Sequence, residues 1–190
     1  MKPKIRRELI EWTVMITIFG VIYLGGWHTE VIGRLQQAVL STGIISPTQV
    51  SEKKKASYDF DLETIDGESF SFNKMKDQVV FVNFWATWCP PCVAEMPDIQ
   101  ALYDDKGKEV AFVMISLDQD EEKAKDFIER KGFDFPVYFL RSPLPETYDT
   151  HSIPTTYVIG TDGLIKVENH GMAKYSSDSF KEFLDGLVDK

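Results

Sequence analysis

The sequence predicts an α/β fold in which a central sheet is flanked by helices. The apolar runs Val79–Trp85 and Val110–Leu117 have the composition of strands buried on both faces, and Pro136–Leu140 is a third strand-like run. Two stretches with helical periodicity, Cys89–Asp105 and Asp120–Lys131, alternate with them. This alternation is typical of strands paired in parallel through crossover helices. The first run is the most continuous, so we expect it to form a central strand.

A hairpin is predicted ahead of that strand. Tyr58–Leu62 and Ser69–Phe72 are short strand-like segments, and the pair Asp66-Gly67 between them is a turn signal. We expect these two segments to pair in antiparallel fashion.

A second hairpin and a closing helix are predicted near the C-terminus. Thr155–Ile159 and Leu164–Val167 flank the turn sequence Thr161-Asp162-Gly163. Ser176–Val188 begins with a residue that caps helices well and carries an apolar stripe, so it is predicted to be a helix. Leu144–Asp149 is predicted to form a short helix.

The composition predicts one folded domain with an attachment. The chain has 190 residues, 43% of them apolar, and a single domain usually takes about 100 to 150 residues. Residues 1–55 carry eight Lys and Arg against four Asp and Glu, whereas residues 56–190 carry thirteen against twenty-six. An acidic body of this kind excludes nucleic-acid binding, because neutralising phosphates needs clustered positive charge.

The N-terminal segment has the pattern of a membrane anchor. Four basic residues between Lys2 and Arg7 precede a charge-free run from Trp12 to Thr29. As a helix this run would extend about 27 Å, close to the roughly 30 Å of a hydrocarbon core. By the positive-inside rule the basic residues would stay in the cytoplasm. We therefore predict that residues 1–29 form a cytoplasmic tip and one transmembrane helix, with a cleaved signal peptide or a buried core helix as alternatives.

Residues 30–57 are predicted to join the anchor to the folded domain. The segment Pro47–Ser57 is polar and contains three consecutive lysines, which favours a linker. The folded domain then comprises residues 58–190. Before the linker an amphipathic helix is predicted, which would lie on the outer membrane surface, pair with another copy or simply extend the anchor. Its apolar stripe is approximated by Val31, Leu35, Ala38, Val39 and Thr42.

The two cysteines of the chain lie three positions apart, in Trp88-Cys89-Pro90-Pro91-Cys92, where the central strand is predicted to give way to a helix. The free N–H groups and the dipole at a helix N-terminus stabilise an anion, so Cys89 is the candidate nucleophile. Cys92 is near enough to resolve a mixed disulfide, and the pair therefore predicts thiol–disulfide exchange. The alternatives are an inert pair or half of a metal site. We predict no metal site, because no second Cys/His cluster at ligand spacing accompanies the pair.

Pro90 and Pro91 modify the same turn. Proline is tolerated in the first turn of a helix because its missing N–H has no intrahelical acceptor there. The two prolines also remove N–H groups that would stabilise the Cys89 thiolate, which favours a more reducing couple.

The segment Phe84-Trp85-Ala86-Thr87-Trp88-Cys89-Pro90-Pro91-Cys92, followed by Ile153-Pro154-Thr155, resembles the thioredoxin superfamily. Within it, the predicted anchor and Cys92-Val93-Ala94-Glu95-Met96-Pro97 resemble the membrane-tethered TlpA/ResA-type branch, which includes the cytochrome c maturation reductases. The resemblance covers about residues 58–190. It implies the thioredoxin fold, a central mixed sheet flanked by helices, with an N-terminal hairpin at 58–72 and an inserted helix and strand at 120–140.

The resemblance also implies roles for residues around the cysteines. Pro154 is expected to be a cis-proline that faces them, and Ile153 to offer backbone hydrogen bonds to a bound substrate segment. Trp88, Pro90 and Pro91 are expected to belong to the substrate-binding surface.

Glu95 is the candidate proton carrier. Thioredoxin has a buried aspartate on the strand before the motif, where this sequence has Asn83, so a proton acceptor must come from elsewhere. Glu95 lies three residues after Cys92 on the predicted helix and is expected near the same face. Similar proteins of this branch carry a functional glutamate at this place. Burial would raise its pKa towards neutrality and let it exchange a proton with Cys92, and the alternative is a solvated helix glutamate.

The expected function is that of a membrane-tethered thiol–disulfide oxidoreductase acting as a reductant on the periplasmic or outer side of a bacterial cell membrane. We expect no cofactor besides the Cys89–Cys92 redox pair. The resemblance implies protein disulfide substrates such as apocytochrome c and a transmembrane electron donor. The alternatives are a copper- or thiol-binding module without turnover, a disulfide oxidant, and a peroxidase. A peroxidase would be expected to have a Pro-x-x-x-Thr-x-x-Cys context, which this sequence lacks.

Overall fold

The structure, a computed structural model, describes residues 3–24, 33, 36–37, 40, 47–48 and 54–189. The helices with complete bounds are α1 (Pro3–Leu24), α2 (Pro90–Lys106), α3 (Glu121–Lys131) and α4 (Asp178–Val188). The strands are β1 (Asp61–Thr64), β2 (Ser69–Ser71), β3 (Val80–Trp85), β4 (Ala111–Ser116), β5 (Val137–Leu140), β6 (Thr155–Ile159) and β7 (Ile165–His170), and a 3-10 helix follows β2 at Phe72–Met75.

The strands form one mixed sheet in the order β2-β1-β5-β4-β3-β6-β7. The three inner strands β3, β4 and β5 are parallel, and α2 and α3 connect them. The outer pairs are antiparallel, and the β1–β2 turn contains Gly67 at φ +87°, a conformation that favours glycine. The predicted mixed sheet, its flanking helices and the N-terminal hairpin are confirmed.

The central strand β3 determines where the site lies. All six of its residues are buried, as the continuous apolar run predicts. On one side it pairs with β4, and on the other Phe84 pairs with Thr155, the first residue of β6. Because β6 runs antiparallel to β3, the residues just before β6 lie at the carboxyl end of β3, where the chain enters α2.

The sheet separates two apolar cores. On one face, α2, α3 and α4 pack on the strands through residues such as Met96, Phe127 and Leu184. On the other face, the segment before β1, the 3-10 helix and the connection before β6 cover the strands, and Phe72 of the 3-10 helix packs against Tyr148 of that connection. Both cysteines belong to the helical side, so the redox pair lies at the edge of a packed core.

Three segments of the structure differ from their prediction. The predicted helix at Leu144–Asp149 is wrong: this segment forms a single turn, closed by the Tyr148 N–H donating to the Pro145 carbonyl. Pro145 disfavours helical backbone at Leu144, the residue before it, which opposes a helix that begins there. The closing helix begins at Asp178, with Ser177 as N-cap residue but without a side-chain cap bond. Residues 54–57, predicted as the end of the linker, already pair with the β6–β7 turn through Ala56 N–H and Gly163 O at 2.9 Å.

The N-terminal predictions fall partly outside the described residues. A helix forms over Pro3–Leu24, but none of the described helices combines the length and the apolar character needed to cross a membrane. The described part of the chain therefore does not support the transmembrane helix, whose predicted end at residues 25–29 lies outside it. The five residues of the predicted stripe also lie outside it, whereas Gly33 and Leu40, which are described as helical, are buried.

Candidate active site

Cys89 and Cys92 form a disulfide at the N-terminus of α2. Cys89 is the N-cap residue, and its sulfur accepts a hydrogen bond from the Cys92 N–H at 3.3 Å. Pro90 and Pro91 occupy the first two helical positions, so the Cys92 N–H is the first main-chain donor of the helix that can reach this sulfur. A thiolate on Cys89 would accept this bond and lie at the positive end of the helix dipole.

The two sulfur atoms differ in their surroundings. Cys89 is 4% exposed and Cys92 is fully buried, so Cys89 is the more accessible of the two residues. Trp88, which precedes the pair, is 60% exposed and forms an apolar surface beside it.

The segment before β6 lies against Cys89. The peptide bond between Ile153 and Pro154 is cis, and the Ile153 carbonyl oxygen lies 3.6 Å from the Cys89 sulfur. Pro154 is buried and Ile153 is half-buried. The structure therefore brings together Trp88, Ile153 and Cys89, residues that are predicted to bind substrate or to attack it.

The loop between β3 and α2 is held from the side by Asp118, which follows β4. The Thr87 N–H donates to Asp118 Oδ2 at 2.9 Å, and the Thr87 hydroxyl donates to Oδ1 at 2.6 Å. The Ser116 hydroxyl donates to Oδ2 at 2.9 Å. These charge-assisted bonds fix the main chain two residues before Cys89.

Glu95 is fully buried on the helix that begins with the cysteine pair. Its Oε1 accepts a hydrogen bond from Asn83 Nδ2 at 2.9 Å, and its Oε2 accepts one from the Ala173 N–H at 3.2 Å. Burial raises the pKa of Glu95 to about 8, because desolvation outweighs the two hydrogen bonds that stabilise the carboxylate. The solvated alternative for this glutamate is therefore wrong, and its proton can be exchanged near neutral pH.

The surroundings of Glu95 form a polar network within the core. Asn83 Nδ2 also donates to Thr156 Oγ1 at 2.9 Å, while Asn83 Oδ1 is buried without a hydrogen-bond partner among the described residues. Burial raises the pKa of Tyr175 well above its usual value. Its phenol therefore stays neutral while Glu95 titrates.

A sequence profile described as the AhpC/TSA family matches residues 54–168. The chain belongs to this family. The match spans the sheet from before β1 into β7 and includes both cysteines.

Named relatives of this AhpC/TSA-family chain share the same region. It is 32% identical over 128 residues to "Thiol-disulfide oxidoreductase ResA" of Halalkalibacterium halodurans, an alignment that covers 66% of this chain and 73% of the relative. It is 29% identical over 161 residues to "Thioredoxin-like protein YneN" of Bacillus subtilis, covering 83% and 88%.

Solved structures show the same fold. A thiol:disulfide interchange protein of the thioredoxin family from Chlorobium tepidum has a TM-score of 0.61 at 26% identity, covering 73% of this chain and 99% of that one. StoA from Bacillus subtilis has a TM-score of 0.55 at 27% identity, covering 69% and 96%. Together with the cysteine pair at the helix N-terminus, these relatives identify the AhpC/TSA-family chain as a thiol–disulfide oxidoreductase with a thioredoxin fold.

Sequence reasoning missed the groups that hold the site from a distance. Asp118 is 31 residues from Thr87, and Ala173 is 78 residues from Glu95. No local motif marks either contact. Asn83 was recognised as the residue in place of an aspartate, but not as the donor to Glu95.

Proposed function

We propose that this oxidoreductase acts as a reductant of protein disulfides outside the cytoplasm. The proposal is carried by one arrangement: Cys89 lies at a helix N-terminus beside the Ile153 carbonyl, with Cys92 buried behind it and Glu95 on the same helix. The reduced form would present one attacking sulfur and keep the resolving sulfur away from solvent.

The reaction follows from this arrangement. The Cys89 thiolate attacks one sulfur of a substrate disulfide, which forms a mixed disulfide and releases the other substrate sulfur as a thiolate that takes up a proton. Cys92 then loses its proton and attacks the Cys89 sulfur, and the second substrate sulfur leaves. Two electrons pass to the substrate, and Cys89 and Cys92 are left as a disulfide.

Glu95 is proposed to exchange the proton of Cys92. Its pKa of about 8 lies close to the ordinary range of a thiol. A base and an acid of similar pKa exchange a proton efficiently near neutral pH.

The reducing direction is supported by the first turn of α2. With proline at both of its first positions, the Cys92 N–H is the earliest main-chain donor of α2 to the Cys89 sulfur. Fewer donors leave the thiolate less stabilised, and a less stabilised reduced form makes the couple more reducing.

Membrane attachment and partners complete the proposal. The basic residues ahead of the run Trp12–Thr29 favour an N-terminus in the cytoplasm and a redox domain on the outer side. A dithiol in an oxidising compartment needs a source of electrons, so we propose a transmembrane donor. We propose a protein substrate with a disulfide in a Cys-x-x-Cys-His site, as in apocytochrome c.

The reduction potential of the Cys89–Cys92 couple tests the direction of electron flow. We expect a value below about −200 mV for the full chain in detergent, titrated against dithiothreitol and glutathione buffers. A value above about −150 mV would make the chain an oxidant. The absence of a reversible couple, together with stoichiometric copper binding, would favour a binding module instead.

A trapping experiment tests the proposed substrate with the same protein. Cys92→Ser should accumulate a mixed disulfide with a peptide that carries an oxidised Cys-x-x-Cys-His site, because the resolving thiol is absent. The matched variant Cys89→Ser should form none. If Cys89→Ser traps the peptide as well as Cys92→Ser does, the assignment of the attacking sulfur is wrong.

A further inference from the structure

Two carboxylates of α2 contact the same distant segment. Glu95 and Asp98 lie one helical turn apart, and both accept hydrogen bonds from the connection between β7 and α4. Glu95 accepts from the Ala173 N–H at 3.2 Å. Asp98 accepts from the main-chain N–H groups of Tyr175 and Ser176, the latter at 3.0 Å, and also from the Ser176 hydroxyl.

The bonds to Asp98 fix this connection close to Glu95. Asp98 is half-buried, and charge-assisted hydrogen bonds of this kind are about twice as strong as neutral ones. Tyr175, whose N–H is one of these donors, is fully buried. Ala173 is two residues from Tyr175, so the position of its N–H depends on where Asp98 holds the segment.

We propose that Asp98 is a positioning residue for the redox site: it keeps the Ala173 N–H against Glu95 and thereby determines how firmly Glu95 holds its proton. The inference rests on the proposed function only in linking that proton to Cys92. Nothing in the chemistry of the cysteine pair requires a carboxylate at position 98, so its contribution comes from the contacts it makes.

Asp98 has two opposite effects on Glu95. Its negative charge raises the pKa of Glu95, whereas the Ala173 N–H lowers it and is the larger of the two effects. The other groups that act on Glu95 are the Asn83 amide, which donates to it, and the neutral Tyr175 phenol. Because the two effects have opposite signs, a substitution at position 98 can tell them apart.

The test is the pH titration of the Glu95 side-chain carboxyl, followed by 13C NMR on the full chain in detergent. In Asp98→Ala the N–H of Ala173 is no longer held, and we expect the midpoint to rise, because the loss of this hydrogen bond outweighs the loss of the Asp98 charge. If Asp98 acts only through its charge, the same variant lowers the midpoint, and this result would overturn the proposal. An unchanged midpoint would overturn it as well.

Two milder variants and one control accompany the test. Asp98→Asn removes the charge but keeps an acceptor oxygen, so its midpoint should lie below that of Asp98→Ala. Ser176→Ala removes one of the bonds to Asp98 and should raise the midpoint by less than Asp98→Ala does. Asp104→Ala removes a carboxylate from the exposed end of the same helix and should leave the midpoint unchanged. Circular dichroism shows whether Asp98→Ala folds. If it does not, Ser176→Ala decides: a Glu95 midpoint equal to that of the unmodified chain would overturn the proposal.

This titration and the test of the proposed function have separate readouts. A reduction potential above about −150 mV would reject the reductase but would leave the Glu95 midpoints interpretable. Conversely, equal midpoints in all variants would reject the role of Asp98 without changing the potential of the unmodified chain.

Discussion

A carboxyl group inside a protein resists ionisation, because the charged form loses its hydration without full compensation. Glu95 is such a group, and its two hydrogen-bond donors offset only part of the cost. The native protein therefore binds a proton that the unfolded chain gives up at a lower pH. A buried carboxyl group that exchanges its proton near neutral pH therefore lowers the stability of the native protein at that pH.

The stability of the native chain should depend on pH through Glu95. Between pH 4.5, the ordinary pKa, and about pH 8, the native state holds the proton and the unfolded state does not. Stability should therefore fall as pH rises through this window, by about 1.4 kcal/mol per pH unit from this group, and level off above it. Urea unfolding of the full chain in detergent at pH 5, 6, 7 and 8 measures the slope.

The variant Glu95→Gln isolates this contribution. The variant keeps the size of the side chain but has no carboxyl group to titrate. The difference in the free energy of unfolding between the unmodified chain and this variant should therefore shrink and change sign as pH rises. For Glu129→Gln, at an exposed position of α3, the plot of unfolding free energy against pH should run parallel to that of the unmodified chain. Parallel curves for Glu95→Gln would show that Glu95 ionises in the ordinary range.

At the level of elements, the site is assembled where β3, β4 and β6 end or begin. β3 leads into the cysteine pair, β4 leads to Asp118, and β6 is preceded by Pro154. Neighbouring parallel strands bring Thr87 and Asp118 together although the chain passes through the whole of α2 between them. The loop that carries Trp88 and Cys89 is therefore fixed by the sheet as well as by α2.

Removing the Thr87 hydroxyl should loosen this loop. Thr87→Val keeps the shape of the side chain but leaves an oxygen of Asp118 without its donor, and we expect a loss of about 1 to 3 kcal/mol in the free energy of unfolding. The rate at which the reduced chain attacks a model disulfide should also fall. Thr87→Ser keeps the hydroxyl, so its loss in the free energy of unfolding should be less than half of the loss in Thr87→Val. Equal losses in both variants would mean that the methyl group, not the bond to Asp118, holds the loop.

The same elements show what the sequence could predict. The run at β3 is continuous and apolar because the strand is buried on both faces, so its place and the helix after it were predictable. Asp118 and Ala173 act through contacts that only the folded sheet and the β7–α4 connection create, and neither carries a local signal. The segment Leu144–Asp149 is too short to show a helical period, Pro145 disfavours helical backbone at Leu144, and the packing of Tyr148 favours a turn.

Over the described part of the whole molecule, exposed large apolar side chains fall in two places. One is Trp88, beside the cysteines. The others lie on α1: Ile10, Trp12, Val14, Met15, Ile16 and Ile18. Exposed apolar patches of this kind are typical of surfaces that contact a membrane or another protein. The basic residues at the start of α1 favour an anionic membrane surface as its partner.

The proposed attachment through α1 predicts how the chain fractionates. We expect the full chain, expressed in bacteria, to stay with the membrane after carbonate extraction, because apolar side chains such as Ile16 and Ile18 are removed from water there. The double variant Ile16→Asp, Ile18→Asp should shift to the soluble fraction, since two charges at these positions oppose burial in lipid. Ala101→Asp adds a charge at an exposed position of α2 and should fractionate like the unmodified chain. Recovery of the unmodified chain in the soluble fraction would contradict the attachment and leave the redox chemistry of Cys89 and Cys92 without an anchor.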